Sequence, residues 1–424
     1  MGHINSMIKK ILLLLILIFA VSITGFAQED DLTFKIAVMG PGNELYFWWG
    51  HIALMIEDSY EGYSRFYDYG VFSFNNEDFF KNFAYGRMLY RCGVSNSQVN
   101  FKSYMKYDRD ITLYTLDLPL EAKIKVRDFV ANNVLPENRN YYYHHFRDNC
   151  STRIRDIIDL ATDGQFKIQF GDEKSRFTLR QHVRRHTYFA PVEDWMLNFW
   201  MGQVIDRPIT VWEDMFLPSE VAMRIKDFWY TDVNGERRKL VTSVESVYKA
   251  KARPPALEKP RKQWIRELLF SLALSSIFGF FFYLQYKKKK AGRLLAGISM
   301  SLSGLVFGVS GTLLYFLSLF TNHDYTYENA NMIFCTPLLL VAVPAGICYA
   351  LTKKAGRERA NGELLRLIWF LCVAGIIISM LIKILPAFYQ DNLTDQMLML
   401  PIALVFTLQP NGLKETLAKF KRKA

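Results

Sequence analysis

The apolar residues of this chain fall into two patterns, one on either side of a short basic, proline-containing stretch at 250–263. Beyond it, long apolar runs follow one another at 268–286, 294–320, 332–351, 364–385 and 396–408. A helix needs about 20 apolar residues to cross a bilayer. The first four runs meet that length, whereas the fifth is short and carries Pro401. Before residue 250 the apolar residues come in short bursts. Residues 34–39, 51–57, 65–72 and 111–116 read as strands, and the turn-like residues 58–62 make the second and third an antiparallel pair. Ile124, Val126, Phe129, Val130 and Val134 share one side of a helix over 120–134. Ile154, Ile157 and Ile158 mark a second amphipathic helix just after Cys150. The expected fold class is α+β for the first half, followed by an all-α bundle of about five transmembrane helices.

Charge then orients the bundle. Lys287, Lys288, Lys289, Lys290 and Arg293 lie between the first two runs, and Lys353, Lys354, Arg357 and Arg359 between the third and fourth. The tail carries Lys414, Lys419, Lys421, Arg422 and Lys423, while the loops at 321–331 and 386–395 contain no Lys or Arg. Basic loops stay in the cytoplasm, so the two uncharged-to-acidic loops and the N-terminal half face outward. The N-terminus agrees. Residues 1–6 read as a vector-derived scar, and 7–27 as a signal peptide with Lys9, Lys10, an apolar stretch and a small-residue exit at Ala27. The chain thus divides into an extracytoplasmic domain at 28–249, a linker at 250–263, a transmembrane bundle at 264–410 and a cytoplasmic basic tail at 411–424. Loop topology accounts for the net charge of +11, and an exported domain has no routine access to nucleic acid, so nucleic acid is excluded as a partner.

Of the five cysteines, Cys335, Cys348 and Cys372 fall in the apolar runs. The oxidising compartment permits a Cys92–Cys150 disulfide. Cys150 follows Asp148 and Asn149, either of which can cap the helix that starts there. A thiol in the first turn of a helix meets orphan amides and the positive end of the dipole, which favour thiolate. Such a nucleophile needs an imidazole to take its proton, and His51, opening a strand after Gly40-Pro41-Gly42, is the candidate. His144 and His145 compete from nearer in sequence. His182 and His186 have a spacing that can bind metal, but no carboxylate or cysteine joins them and Arg180, Arg184 and Arg185 crowd them. Neither a metal nor another cofactor is expected.

Several short motifs occur in a characteristic order. They are Trp49-Gly50-His51-Ile52-Ala53-Leu54, Tyr67-Asp68-Tyr69-Gly70, Pro136-Glu137-Asn138-Arg139, Asp148-Asn149-Cys150-Ser151-Thr152-Arg153 and Met215-Phe216-Leu217-Pro218. In the second half come Thr321-Asn322-His323, Thr326 and Asn329-Ala330-Asn331. A histidine on a strand followed by Asn-Cys at a helix start is similar to the circularly permuted papain-like fold of the lecithin–retinol acyltransferase group. The whole set resembles the Lnb-type bacterial lipoprotein N-acyltransferases over nearly the full chain after the signal peptide. The resemblance implies an enzyme of the bacterial inner membrane that acts on its periplasmic side. It implies Cys150 as nucleophile and His51 as base, a membrane phospholipid as acyl donor, and the free amine of a diacylglyceryl-cysteine lipoprotein as acceptor. Asp68 is the expected orienting residue, with Glu57 and Tyr69 in reserve, because a one-residue slip of the hairpin would turn Asp68 away. Asn149 or the Cys150 amide is expected at the oxyanion, with Arg153 and Tyr69 in support. His323, Asn329 and Asn331 are expected to bind substrate. The aromatic stretch at 188–212 is a candidate lipid portal.

Two other functions fit the same residues. A papain-like peptidase or amidase of the cell envelope would use the dyad but leave the bundle idle. In a non-catalytic envelope scaffold, the thiol would be structural.

Overall fold

A computed structural model describes residues 31–75, 77–251 and 255–409. The signal peptide, the residues before it and the basic tail lie outside the described residues.

The N-terminal half is built on a seven-stranded sheet of antiparallel pairs. Its strands are β1 (Leu32–Met39), β2 (His51–Asp58), β3 (Tyr63–Val71), β4 (Leu89–Asn96), β5 (Ile111–Leu116), β6 (Asn140–Tyr142) and β9 (Val241–Tyr248), in the order β6-β4-β3-β2-β1-β5-β9. A separate hairpin joins β7 (Trp229–Thr231) to β8 (Arg237–Lys239). β2 is apolar at successive positions because both faces of the sheet are covered there. Ile52, Leu54 and Ile56 face the helices Leu120–Asn133, Cys150–Ala161 and Pro218–Lys226, through Val126, Val130, Ile154, Ile157, Ile158 and Val221. Ala53 and Met55 face the other way, with Phe66 and with Phe101 of the helix Ser97–Lys106. The β2–β3 hairpin closes with the Gly62 amide donating to the Asp58 carbonyl, and pairs Asp58 with Tyr63 and Leu54 with Tyr67.

The C-terminal half is helical. Trp264–Tyr286, Lys290–Phe320 and Ala355–Ile382 are long and apolar enough to cross a membrane. Two shorter apolar helices, Pro337–Leu351 and Leu393–Thr407, complete it. The run at 332–351 is not one continuous α-helix. Pro337 lacks an amide hydrogen, and the chain passes through 3-10 turns before the α-helix Ala342–Leu351. Small residues let this segment approach its neighbour closely. A side chain at Gly304 would meet the Ala342 methyl at 2.7 Å, and one at Gly311 the Cys335 carbonyl at 2.3 Å.

The two halves are joined by a buried polar seam. The outward loops at 321–331 and 386–395 pack into the first domain, where the Gly202 amide donates to the Tyr325 carbonyl. Arg180, fully buried, binds Asp206 and the carbonyls of Asn198, Met201 and Gly202. Arg184 clasps the side chain and carbonyl of Asp391. The Pro-containing stretch between the halves is itself pinned, because Arg185 and Leu257 exchange hydrogen bonds. A side chain at position 202 would come within 1.8 Å of the Tyr327 carbonyl. Gly202→Ala is therefore expected to destabilise the protein by about 1–3 kcal/mol. A lowered thermal midpoint of the detergent-solubilised protein would show this, and an unchanged midpoint would refute it.

Candidate active site

The first element is the entry to the helix Cys150–Ala161. His144 and Asp148 exchange backbone hydrogen bonds, and His144 Nδ1 accepts from the amides of Phe146 and Arg147, so the chain turns tightly before the helix. Asn149 caps the helix. Its Oδ1 accepts from the amides of Ser151 and Thr152, and the Thr152 hydroxyl accepts the Asn149 amide in return. Arg153 forks onto both oxygens of Asp148 at 2.5 and 2.7 Å and lies over the Tyr141 ring. Cys150 is thereby fixed as the first helical residue, where its own amide has no acceptor within the helix. Both side-chain N–H groups of Asn149 are committed, to the carbonyls of His145 and Phe216. The position of Asn149 is thus one of support for the turn, and the Cys150 amide is the open donor.

The second element is the start of β2. Gly50 has a φ of 81°, and a side chain there would meet the Met39 carbonyl at 2.8 Å. Only glycine makes this turn without strain, and it delivers His51 as the first residue of the strand. The β2–β3 register continues to a place where Asp68 stands diagonal to His51 on the same face. His51 Nε2 donates to Asp68 Oδ1 at 2.5 Å. The thiol of Cys150 stands beside the imidazole and the Ile52 backbone, so Nδ1 is the ring nitrogen left to serve it.

Burial alone would keep His51 neutral, but Asp68, Tyr104 and the Cys150 thiol together hold its pKa well above the usual imidazole range. Burial pushes the Cys150 thiol up, but the attraction of His51 and hydrogen bonding to it outweigh this and leave the thiol below its ordinary value. The two shifts favour a thiolate–imidazolium pair, the state in which a cysteine attacks without first losing a proton.

The other candidate residues lie elsewhere. Tyr69 alternates to the opposite face from Asp68 and is buried against Tyr141. Glu57 pairs with Lys35 near the far end of β2. His144 Nε2 donates to Asp324, which also binds Arg147. His145 packs half-buried between Tyr143 and Tyr325, and desolvation there lowers its pKa to about 4. His182 and His186 are buried within the first domain, His182 between Phe177 and Phe216, and no group of three His, Cys, Asp or Glu among the described residues is placed to hold a metal. The permitted Cys92–Cys150 disulfide is not formed. Both thiols are free, with Cys150 beside His51 and the Cys92 thiol pushed up to about 11 by burial.

His323, Asn329 and Asn331 lie in the seam. His323 donates to the Phe83 carbonyl and accepts from the Tyr325 hydroxyl. Asn329 and Asn331 both donate to the Phe199 carbonyl, and Asn331 also to Asp395. The aromatic stretch at 188–212 divides. Trp195, Phe199 and Trp200 pack on the helical half, whereas Trp212 covers Arg155 in the first domain. Tyr104 and Tyr143 were not singled out by the sequence. Tyr104 stacks beside His51 at 6.4 Å, while Tyr143 is an electrostatic neighbour of Cys150. Neither belongs to a motif: Tyr104 comes from the helix Ser97–Lys106 and Tyr143 from the residue just after β6, and tertiary packing brings them to the site.

Residues 21–185 match the family model described as the Lnb N-terminal periplasmic domain, and residues 259–409 match the one described as the Lnb transmembrane domain. No curated protein and no solved structure matches the chain.

Proposed function

Since the chain belongs to the Lnb family, with a periplasmic and a transmembrane domain in one polypeptide, we propose that it is a cysteine-dependent lipoprotein N-acyltransferase of the bacterial inner membrane. The observation that carries this reading is the Cys150–His51–Asp68 arrangement at a helix N-terminus. The chain order of histidine strand, aspartate strand and cysteine helix supports a circularly permuted papain-like domain. Five apolar helices support five spans, with the shorter two crossing alongside the long three.

In this mechanism the Cys150 thiolate attacks the ester carbonyl of a phospholipid. The Cys150 amide stabilises the oxyanion. As the tetrahedral intermediate collapses, the C–O bond breaks and the His51 imidazolium gives its proton to the departing lysophospholipid oxygen, leaving an acyl thioester. The amine of a diacylglyceryl-cysteine then attacks that thioester. Neutral His51 takes the amine proton, the C–S bond breaks, and the amide product leaves with the thiolate restored. Asp68 holds the imidazole in position through both halves. His323, Asn329 and Asn331 act by holding the outward loop where the two lipid substrates meet the thiol. The sealed junction with the bundle favours this over a peptidase, which has no need of one.

The test is intact-protein mass spectrometry of the detergent-purified enzyme after incubation with phospholipid. An acyl adduct on Cys150 that is discharged by a diacylated lipopeptide is expected. Absence of any adduct, together with Cys150-dependent cleavage of peptides, would establish the peptidase instead.

A further inference from the structure

Between β3 and β4 the chain carries Phe72, Phe74, Phe79, Phe80 and Phe83, a density of rings unusual for a connection. Water-facing loops are normally polar. Here Phe74, Phe80 and Phe83 do not turn inward: Phe80 is 68% exposed and Phe74 49%. Tyr46, from the turn ahead of β2, joins them, with its ring 6.0 Å from that of Phe74. The result is one contiguous exposed apolar surface, of the kind that marks a contact with something apolar.

Its height in the molecule identifies that contact. The Tyr85 ring meets Phe316 at 5.9 Å, and the Tyr85 carbonyl accepts from the Asn322 amide. The Gly86 backbone lies so close to Asn322 and His323 that a side chain there would approach within 2.7 Å. The ring surface is thus fastened to the outer end of the helix Lys290–Phe320, whose last apolar residues, Leu319 and Phe320, are themselves exposed. If that helix spans the bilayer, its exposed end and the ring surface share one depth, that of the periplasmic leaflet, where aromatic side chains concentrate.

From that surface the rings continue inward. Phe74 touches Phe72 at 5.1 Å, Phe72 touches Tyr90 at 5.0 Å, and Tyr90 touches Tyr143 at 4.6 Å. The Tyr143 ring in turn lies against Gly70 of β3, two residues from Asp68, where an added Cβ would meet it at 3.3 Å, and the Cys150 thiol is among its electrostatic neighbours. An apolar trail therefore runs from the exposed rings to the nucleophile.

We propose that Tyr46, Phe74, Phe80 and Phe83 form a lip inserted in the periplasmic leaflet, and that a phospholipid acyl chain passes from it along Phe72, Tyr90 and Tyr143 to Cys150. Insertion of the lip stands on its own, whereas its use as an entrance rests on the acyltransferase reading. The occupant is lipid rather than a protein partner, because the lip is continuous with the lipid-facing end of a membrane helix.

Two measurements on the full chain in phosphatidylcholine vesicles test the proposal. In Phe80→Trp, the emission added over the parent protein should be strongly quenched by lipids brominated on the acyl chain. Emission that is indifferent to brominated lipid and open to acrylamide would overturn insertion. In the double variant Phe74→Asp, Phe80→Asp, acylation of Cys150 by vesicle phospholipid should fall about tenfold or more. Acylation by a water-soluble short-chain ester should be unchanged. An equal loss with both donors would overturn the entrance role. Quenching without acylation of the parent protein by either donor would sink the acyltransferase reading and leave the inserted lip standing.

Discussion

Cys150→Ala is expected to lower acyl transfer to a diacylated lipopeptide by at least about 10⁴-fold, to the level that binding alone supports. Every covalent step of the proposed cycle begins or ends on this sulfur. The features that build the helix entry are the Asn149–Thr152 capping box and the Asp148–Arg153 fork, and none of them uses the thiol. The variant should therefore fold, with a thermal midpoint close to that of the parent, so that lost activity is not lost structure. Cys150→Ser should be nearly as slow. His51 and the helix terminus can hold a thiol deprotonated, but a hydroxyl must lose its proton during attack. Measured turnover of the folded alanine variant near the parental rate would end the case for a thioester.

Asp68→Asn should cost about 10²–10⁴-fold and leave a signature in the pH profile. With the carboxylate present, His51 keeps its proton well above the usual imidazole range in spite of burial. Deacidifying position 68 removes the charge that opposes burial, so the imidazolium loses its proton at lower pH. The alkaline limb of the acylation rate must then move down. The acid limb follows the thiol, whose deprotonation Asp68 itself disfavours, so the substitution does not push that limb upward through its own charge. The active range narrows from the alkaline side. An alkaline limb that stays in place would mean that Asp68 does not orient or charge His51.

The residues proposed for this chemistry were legible to different degrees. His51 and Cys150 announce themselves locally, one behind a glycine turn and the other behind an Asn cap, where short-range geometry decides the outcome. Asp68 depended on register. The turn closed by Gly62 settled it by pairing Asp58 with Tyr63, which sets Asp68 on the face of His51. β4 escaped notice because Leu89 and Val94 are exposed while Tyr90 and Cys92 are buried, which gives weak alternation near the sheet edge. β9 was hidden for another reason. It joins β5 from more than a hundred residues away, and nothing in either strand names the other. Tyr104 reaches His51 only through the packing of its helix. The polar residues of the outward loop showed their chemistry but not their partners, since carbonyls such as that of Phe199 carry no mark in a sequence.

The clasp between Arg184 and Asp391 spans 207 residues of chain. At ordinary rates of synthesis, about 5–20 residues per second, the second partner follows the first by roughly 10–40 s. Throughout that interval Arg184 is without the loop residue that clasps it in the finished fold. The last outward loop, at 386–395, completes the seam. A chain truncated before that loop would therefore carry all three proposed catalytic residues but lack the Asp391 partner that holds Arg184 in the seam.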